Sequence, residues 1–287
     1  MKGFSIGPFD CPTVALDGAY IATGFPSMTA IAGLVDALTN RCGTPAANAP
    51  FAIVVHDLQV HPGRPKPKAD SKAEPTEAVE RTRGRMRATL LMLDPEDAWL
   101  TSQIQDALPG LRFAGSVMQA VGKRPEVRVR EFDDLGKALR ALAPGHLILD
   151  RGDILDRALA IARDPLDALL DVFALQKDDQ ERWQSAYSFS EDGEFQALLP
   201  VSVGYQCLEP LEDATTRSGT RCPTTPHVFA EGIVSVAEAR SSRKVSRSAN
   251  GPAALPAFWS WSSHPDTAVI HLTGRSFAAI SSEGIPA

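Results

Sequence analysis

Arginine occupies every second position of one short stretch, at Arg81, Arg83, Arg85 and Arg87, and we call these four the arginine row. A β-strand points alternate side chains to the same side, so an extended segment here presents all four guanidinium groups on one face. Like charges at ~7 Å spacing repel one another unless an anion lies across them. A phosphate backbone is such an anion, and the arginine fork can bind two of its oxygens. The row therefore predicts a nucleic-acid contact.

A second basic patch lies near the C-terminus and combines cations with small hydroxyl side chains. It contains Arg240, Arg243, Lys244 and Arg247, with serines interspersed. Serine and arginine together can donate several hydrogen bonds to phosphates. An unstructured surface loop is the alternative, and the sequence leaves it open.

The chain does not contain a recognisable catalytic constellation. It has no GxxxxGK[ST], HExxH or GxSxG motif. His56 and His61 stand five residues apart, on opposite faces of a strand, so we expect no shared metal site. A general acid–base ribonuclease using His227 or His56 stays open, as does a metal-dependent nuclease built from the aspartates of residues 153–171. We favour a binding protein with no catalytic residue, metal or cofactor.

The helix that the other elements surround is predicted within the stretch Gly24–Arg41. Ser27 or Thr29 can cap its first turn, and apolar residues recur from Ile31 at three- and four-residue steps. An extended segment precedes this helix and a strand predicted for residues 51–57 follows it. Strand, helix and strand open a ferredoxin-like unit, a fold that often binds RNA. The pattern is equally that of a core helix in another α+β domain.

Further elements complete the predicted α+β pattern over the first 120 residues. Pro8 and Pro12 are expected to end a first strand at Ile6, and Asp94 is expected to cap a helix that runs to Leu108. Residues 62–82 combine proline and lysine with few large apolar residues, which predicts an exposed, mobile insertion. Whether this insertion contacts nucleic acid is left open. The aromatic residues of 258–261 are expected to form part of a protein interface.

Composition limits the possible functions. The chain has 287 residues, is 44% hydrophobic and carries a formal net charge of −6, so any nucleic-acid contact must come from local patches. The four cysteines lie far apart without a CxxC pair, which argues against a zinc site or a disulfide framework and fits a reducing compartment. The sequence contains neither a signal peptide nor ~18 consecutive apolar residues that could span a membrane. We expect a soluble, cytoplasmic protein.

Six motifs in the order of one known family give the chain a specific resemblance. They are GFPSMTAIAGLVDAL at Gly24–Leu38, VVHDLQV at Val54–Val60, LRFAGSV at Leu111–Val117, GHLILDR at Gly145–Arg151, LLPVSVGYQCLEPL at Leu198–Leu211 and TPHVFAEGIVSV at Thr225–Val236. On these motifs the chain resembles the second subunit of the type I-F CRISPR surveillance (Csy, or Cascade) complex, in the Cas-five group of RAMP proteins.

The resemblance implies a modified ferredoxin-like (RNA-recognition-motif) core of the RAMP type with extended loop or thumb insertions. We expect one elongated domain over residues 1–287, with the core in 1–120, a flexible basic insertion in 61–83, and a helical insertion plus sheet-completing strands in 121–287. The implied role is non-catalytic binding of the 5′ handle of the CRISPR RNA. A guide-processing endoribonuclease of the Cas-six type is the alternative.

The same resemblance names the expected partners, whereas the candidate residues come from the sequence pattern. The expected partners are the CRISPR RNA, the large subunit, the first backbone subunit and, mainly through the complex, target DNA near the protospacer-adjacent motif; no membrane is expected. The candidate RNA-binding residues are Ser27, Thr29, His56, Arg81, Arg83, Arg85, Arg87, His227, Arg240, Arg243, Lys244 and Arg247.

Overall fold

One large antiparallel sheet organises the described part of the chain. The computed structural model describes residues 1–19, 22–43, 49–61, 82–177, 179, 181, 183–190, 193–209, 228–247, 254–264 and 269–283. Within them, ten strands form the main sheet and seven helices lie around it. The α+β class predicted from the sequence is confirmed. The basic insertion falls almost entirely on residues 62–81, outside the described residues.

The strands of the main sheet are β1 (Lys2–Ala15), β4 (Phe51–Val60), β5 (Arg83–Asp94), β8 (Gln119–Ala120), β9 (Val129–Phe132), β10 (His146–Asp150), β13 (Leu198–Cys207), β14 (Ala230–Ser241), β15 (Phe258–His264) and β16 (Val269–Arg275). Short two-stranded pairs are formed by β2 (Asp17–Ala19) with β3 (Ala22–Thr23), β6 (Arg112–Phe113) with β7 (Ser116–Val117), and β11 (Gln176–Lys177) with β12 (Trp183–Gln184). The helices are α1 (Met28–Arg41), α2 (Thr101–Ala107), α3 (Leu135–Ala141), α4 (Gly152–Leu159), α5 (Pro165–Phe173), α6 (Ser242–Val245) and α7 (Phe277–Glu283).

Strand β4 connects two parts of the sheet. On one side the order is β4, β5, β1, with β8 and β9 both pairing with the far edge of β1. On its other edge, β4 pairs with β10 through Val54 and Val55 and with β15 through Phe51. The order β10, β14, β13, β16, β15 joins these two partners. Six strands therefore close into a ring that includes β4.

The two faces of the sheet carry separate cores because side chains alternate along each strand. On β5, Leu90 and Met92 pack in a cluster with residues of α1 and α2, whereas Leu91 and Leu93 pack in a second cluster with residues of α3, α6 and α7. Nearer its start, β5 carries arginine on the second face, and that face is open to solvent. The helices therefore cover one end of this face and leave the other end exposed.

Strand β1 is longer than the sequence predicted. It continues to Ala15 past Pro8 and Pro12, and its register shifts between Ile6 and Phe9 and again between Cys11 and Val14. Each proline lies within one of these irregularities, where no ladder hydrogen bond needs its missing N–H. The predicted break was wrong because bulges absorb both prolines.

The helix predicted to start at Asp94 begins later. Asp94 ends β5, and its buried carboxylate accepts hydrogen bonds from the backbone N–H groups of Ala98 and Trp99 at 2.9 and 3.0 Å. Helix α2 starts only at Thr101. The carboxylate thus closes a turn instead of capping a helix. Trp99 is buried, whereas Leu100 is exposed.

Aromatic residues at the start of β15 belong to the core and not to a protein interface. Phe258 and Trp259 have no exposed surface, and the Trp259 indole donates a hydrogen bond to the carbonyl of Ile148 at 3.0 Å. Trp261 is only partly buried.

In the described ranges, no helix is long and apolar enough to span a membrane. No cluster of three or more metal-ligating side chains occurs in those ranges either.

Helix α1 forms as predicted, with one exception at Gly33. Ser27 accepts a hydrogen bond from the Thr29 N–H at 3.2 Å, and Ile31, Leu34 and related residues are buried. Glycine is unfavourable within a helix, and a closely approaching neighbour would be one reason to find it there. Gly33 is exposed, however, and a Cβ there would have nothing within 4 Å.

Replacing Gly33 by Ala is expected to raise the free energy of unfolding by about 0.5–1 kcal/mol, since alanine loses less backbone entropy in a helix. Urea unfolding measures this change. The matched control is Gly84→Ala, where the added Cβ would lie 2.7 Å from the carbonyl oxygen of Gln59 and should destabilise the fold. A loss of stability in Gly33→Ala would contradict the prediction.

Candidate nucleic-acid interface

Three members of the arginine row lie side by side on β5. Arg83, Arg85 and Arg87 alternate with buried Gly84 and Met86, so they leave the strand on the same side. This geometry follows from the period of two. Arg85 and Arg87 lie over the open face, whereas Arg83, at the start of the strand, reaches the β6–β7 hairpin. Arg81 lies outside the described residues.

Arg85 and Arg87 already have an anionic partner within the protein. Asp10 on β1 stands opposite Arg87, whose Nε and Nη2 donate to its two carboxylate oxygens at 2.9 and 3.1 Å. Arg85 Nη2 donates to Oδ2 of the same carboxylate at 3.1 Å. The pKa of Asp10 is below its ordinary value. The main cause is the hydrogen bonding from Arg87, which outweighs the opposite effect of burial. For these two arginines, the argument that only a bound phosphate could relieve the repulsion therefore fails.

Replacing Asp10 by Asn is expected to lower stability at neutral pH but not in acid. The pKa of Asp10 in the folded protein is below its ordinary value of 3.8. The ionised carboxylate therefore stabilises the fold at pH values above 3.8, and this stabilisation is lost as the pH falls through the lower, folded-state pKa. Urea unfolding at pH 7 and near pH 3 should show a difference between wild type and variant that shrinks in acid. Asp133→Asn, at an exposed site, is the control. A pH-independent difference would contradict the prediction.

Arg83 differs from its two neighbours because no carboxylate of the described residues pairs with it. Its Nη1 donates to the backbone carbonyl of Thr13 at 3.3 Å, and it lies beside the turn of the β6–β7 hairpin at Gly115. The guanidinium keeps donors for a further acceptor, since it has five N–H groups.

Arg83 lines a cleft of about 530 Å³ between the start of α1, the end of β1 and the strands β13 and β15. The side chains that give this cleft its chemical character are Asp17, Thr29, Arg83, Tyr205 and Trp261. Tyr205 is 49% exposed. The Trp261 indole is a hydrogen-bond partner of the Asp36 carboxyl. Burial raises the pKa of Asp36 above its ordinary value, and the hydrogen bond from Trp261 opposes this rise only in part. We refer to this site as the cleft.

Ser27 and Thr29 reach the cleft in different ways. The Ser27 hydroxyl caps α1, lies 2.6 Å from the Thr29 hydroxyl and contacts the Ser202 carbonyl at 3.4 Å. Its hydrogen-bonding capacity is therefore used within the protein. Thr29 Oγ1 has the Ser27 hydroxyl as its neighbour and lines the cleft with capacity left for a ligand.

His56 is held by the protein at both ring nitrogens. Nδ1 lies 3.0 Å from the Pro144 carbonyl oxygen and Nε2 lies 2.8 Å from the Thr89 hydroxyl. Burial is the main cause that lowers the pKa of His56. Both contacts favour a structural histidine over an RNA contact or a proton-transfer group. His227 lies outside the described residues.

The second basic patch is divided between an internal network and an exposed turn. Arg240 donates to both oxygens of buried Glu238 at 2.7 Å, and Lys244 pairs with Glu194 at 2.9 Å. Arg243 and Arg247 are exposed on or next to α6 and have no ion pair with any described residue. Among the described residues, these two members therefore have no ionic partner that would compete with phosphate.

The last two residues of the GHLILDR motif, Asp150 and Arg151, form hydrogen bonds that hold neighbouring elements together. Arg151 donates to Glu238 at 2.7 Å, to Asp153 and to Gln196. Burial raises the pKa of the neighbouring Asp150, whose oxygens accept backbone N–H groups of Gly152 and Gly274 at 2.9 and 2.7 Å. These residues connect α4 to the sheet, which assigns the motif a structural role.

Sequence reasoning missed Asp17 and Tyr205 as members of the cleft. The VGYQ motif contains Tyr205, but the sequence gives no spacing that relates it to Arg83. In the sequence, Trp261 is distinguished only as part of an aromatic group near the end of the chain.

Comparison with known proteins assigns a family to this architecture. The sequence profile of a family described as "CRISPR-associated protein (Cas_Csy2)" matches residues 15–271, most of the chain. A solved structure of a CRISPR protein from Archaeoglobus fulgidus aligns with 94% of this chain and 99% of its own length, at 10% sequence identity and a TM-score of 0.26. A TM-score this low carries no argument, and the family match alone assigns the chain.

Proposed function

Because the chain belongs to the Cas_Csy2 family of CRISPR-associated proteins, we propose that it is a non-catalytic, guide-RNA-binding subunit of a type I-F Cascade (Csy) complex in the cytoplasm. In this role it binds the 5′ handle of the CRISPR RNA. It pairs with the large subunit and contacts the first backbone subunit. Target DNA near the protospacer-adjacent motif is reached mainly through the complex, in antiviral defence.

The strand order supports a ferredoxin-like core of the RAMP type. Strands β9, β1, β5 and β4 are adjacent and antiparallel, and α1 and α2 pack on one face of them. The chain order β1, α1, β4, β5, α2, β9 is that of the β-α-β-β-α-β unit. Small sheets of this kind bind single-stranded RNA by stacking bases on aromatic side chains.

The observation that carries the proposal is the composition of the cleft. It combines Arg83, a cation with which no described carboxylate pairs, with an exposed tyrosine ring and the Thr29 hydroxyl. Single-stranded RNA presents phosphates, unstacked bases and ribose hydroxyls, and these three groups suit the three kinds of side chain. The net charge of −6 also fits binding at one local site better than along a broad basic surface.

Co-expression with the neighbouring complex subunits and a guide RNA, followed by purification through this chain, tests the proposal. We expect guide RNA in a one-to-one ratio with this chain, released at high salt. Purification of the assembled subunits with this chain but without RNA, or of this chain with no subunit, would contradict it.

The alternative of a Cas-six-type endoribonuclease is tested with the same material. The purified chain, incubated with repeat RNA and Mg²⁺, is expected to leave the RNA intact. His56 offers no free ring nitrogen for proton transfer. Specific cleavage that disappears in His227→Ala would replace the proposed function by the alternative.

A further inference from the structure

The cleft contains an unpaired negative charge as well as an unpaired positive one. Asp17 and Arg83 both line it, and neither forms an ion pair with the other or with any other residue that the structure describes. The Asp17 side chain is only partly exposed. A carboxylate repels phosphate, so a purely phosphate-binding cleft would not place Asp17 there. The ligand must offer hydrogen-bond donors as well as an anionic group.

One nucleotide has this combination of groups. Its phosphate is the anion, its base has a face for stacking, and three of the four bases carry an exocyclic amino group that donates hydrogen bonds. An ionised aspartate accepts hydrogen bonds only, and its two oxygens can accept two parallel donors. Guanine has such a pair in its N1–H and N2–H groups, whereas uracil has no amino group.

The volume and the lining are consistent with a single base. Ligand sites for small molecules have volumes of about 300–1,000 Å³, and the cleft has about 530 Å³. Tyr205 offers its ring with half of its surface exposed. Trp261 is anchored by Asp36 and forms a second aromatic part of the wall. A base that enters the cleft can therefore stack on Tyr205 while its edge faces a carboxylate.

We propose that the cleft selects one nucleotide of the bound RNA by its base, with Asp17 accepting hydrogen bonds from the exocyclic amino group of a purine or cytosine, and guanine as the best fit. Tyr205 stacks on this base and Arg83 binds an adjacent phosphate. The inference rests on the proposed function and adds that the site discriminates between bases, with Asp17 as the discriminating residue.

The test uses the assembled complex, or the chain with the subunits that keep it soluble, and a set of 5′-handle RNAs in which each position in turn is changed to uridine. We expect one position at which uridine lowers the affinity about tenfold or more. Inosine at that position, which lacks the guanine amino group, should show an intermediate loss if the base is guanine. Wild-type affinity that is equal for all RNAs in the set would overturn the inference but leave the proposed function standing.

Variants of two cleft residues separate base reading from general binding. Asp17→Asn gains a donor, so its preference against uridine should fall to within about twofold, whereas the salt dependence should be unchanged because no phosphate contact is lost. Tyr205→Ala should weaken binding about fivefold or more, and Tyr205→Phe should restore it, because stacking needs only the ring. Asp57→Asn, an exposed carboxylate outside the cleft, is the control.

These results distinguish the two levels of the proposal. If Asp17→Asn keeps the wild-type base preference, Asp17 does not read the base and the inference is wrong. If no handle RNA binds the wild-type protein at any salt concentration, the proposed function itself fails. Circular dichroism of each variant verifies that the fold is retained.

Discussion

Arg83→Ala is expected to weaken handle-RNA binding about tenfold or more and to lower the slope of log affinity against log salt by about 0.7. A charged hydrogen bond contributes about 1.5–3 kcal/mol, and each phosphate contact with a single strand adds about 0.7 to the slope. Arg83 is the member of the arginine row that lines the cleft and has no carboxylate partner among the described residues. Fluorescence anisotropy at several salt concentrations measures both quantities.

Arg85→Ala is the matched control for this prediction. Arg85 lies two residues along the same strand, on the same face, with 45% of its side chain exposed, but it donates to Asp10. We expect its removal to change the affinity less than twofold and to leave the slope unchanged, since its guanidinium is already held by the Asp10 carboxylate, which it shares with Arg87. Equal losses in Arg83→Ala and Arg85→Ala would indicate that RNA lies along the whole row and displaces Asp10.

Arg151→Met is expected to lower the free energy of unfolding by about 3 kcal/mol, since it removes several hydrogen bonds to charged groups, which contribute about 1.5–3 kcal/mol each. Glu238 is 3% exposed and would keep only Arg240, while Asp153 and Gln196 would lose their contacts with Arg151. Methionine keeps the volume of the aliphatic stem, so the loss reports on the charge. Urea unfolding measures it.

Lys137→Met provides the comparison, because Lys137 pairs with Asp134 at 4.0 Å and 73% of its side chain is exposed. Exposed pairs of this kind contribute about 0–1 kcal/mol. Similar losses in the two variants would mean that the Glu238 network is as well solvated as a surface pair. The structural role given to the GHLILDR motif would then be wrong.

Several structural features could be predicted from residues that are close together in the sequence. Helix α1 could be predicted because Ser27 and the spacing of apolar residues are local signals, and the common face of Arg83 to Arg87 follows from strand geometry alone. In each case the deciding interactions lie within a few residues of one another.

The charge balance at the site could not be predicted because it depends on distant residues. Asp10 binds Arg87 although 77 positions of sequence separate them. The argument from repulsion within the arginine row therefore left out the carboxylate that contributes most to the charge balance. The cleft likewise gathers Asp17, Arg83 and Tyr205 from three different strands. The spacing of residues within one element carries no information about contacts between different strands. Those contacts depend on how the whole sheet packs.

The central claim is that this chain holds guide RNA in the cleft, and site-specific cross-linking tests it most directly. The complex is assembled on guide RNAs that carry the photoreactive base 6-thioguanine, which keeps the N1–H and N2–H donors of guanine, at successive handle positions; it is then irradiated and analysed by mass spectrometry. The account predicts cross-linked peptides of this chain that contain Tyr205 or Trp261, and their loss in Arg83→Ala. Cross-links confined to the peptide of Arg243 and Arg247, or absent from this chain, would contradict it.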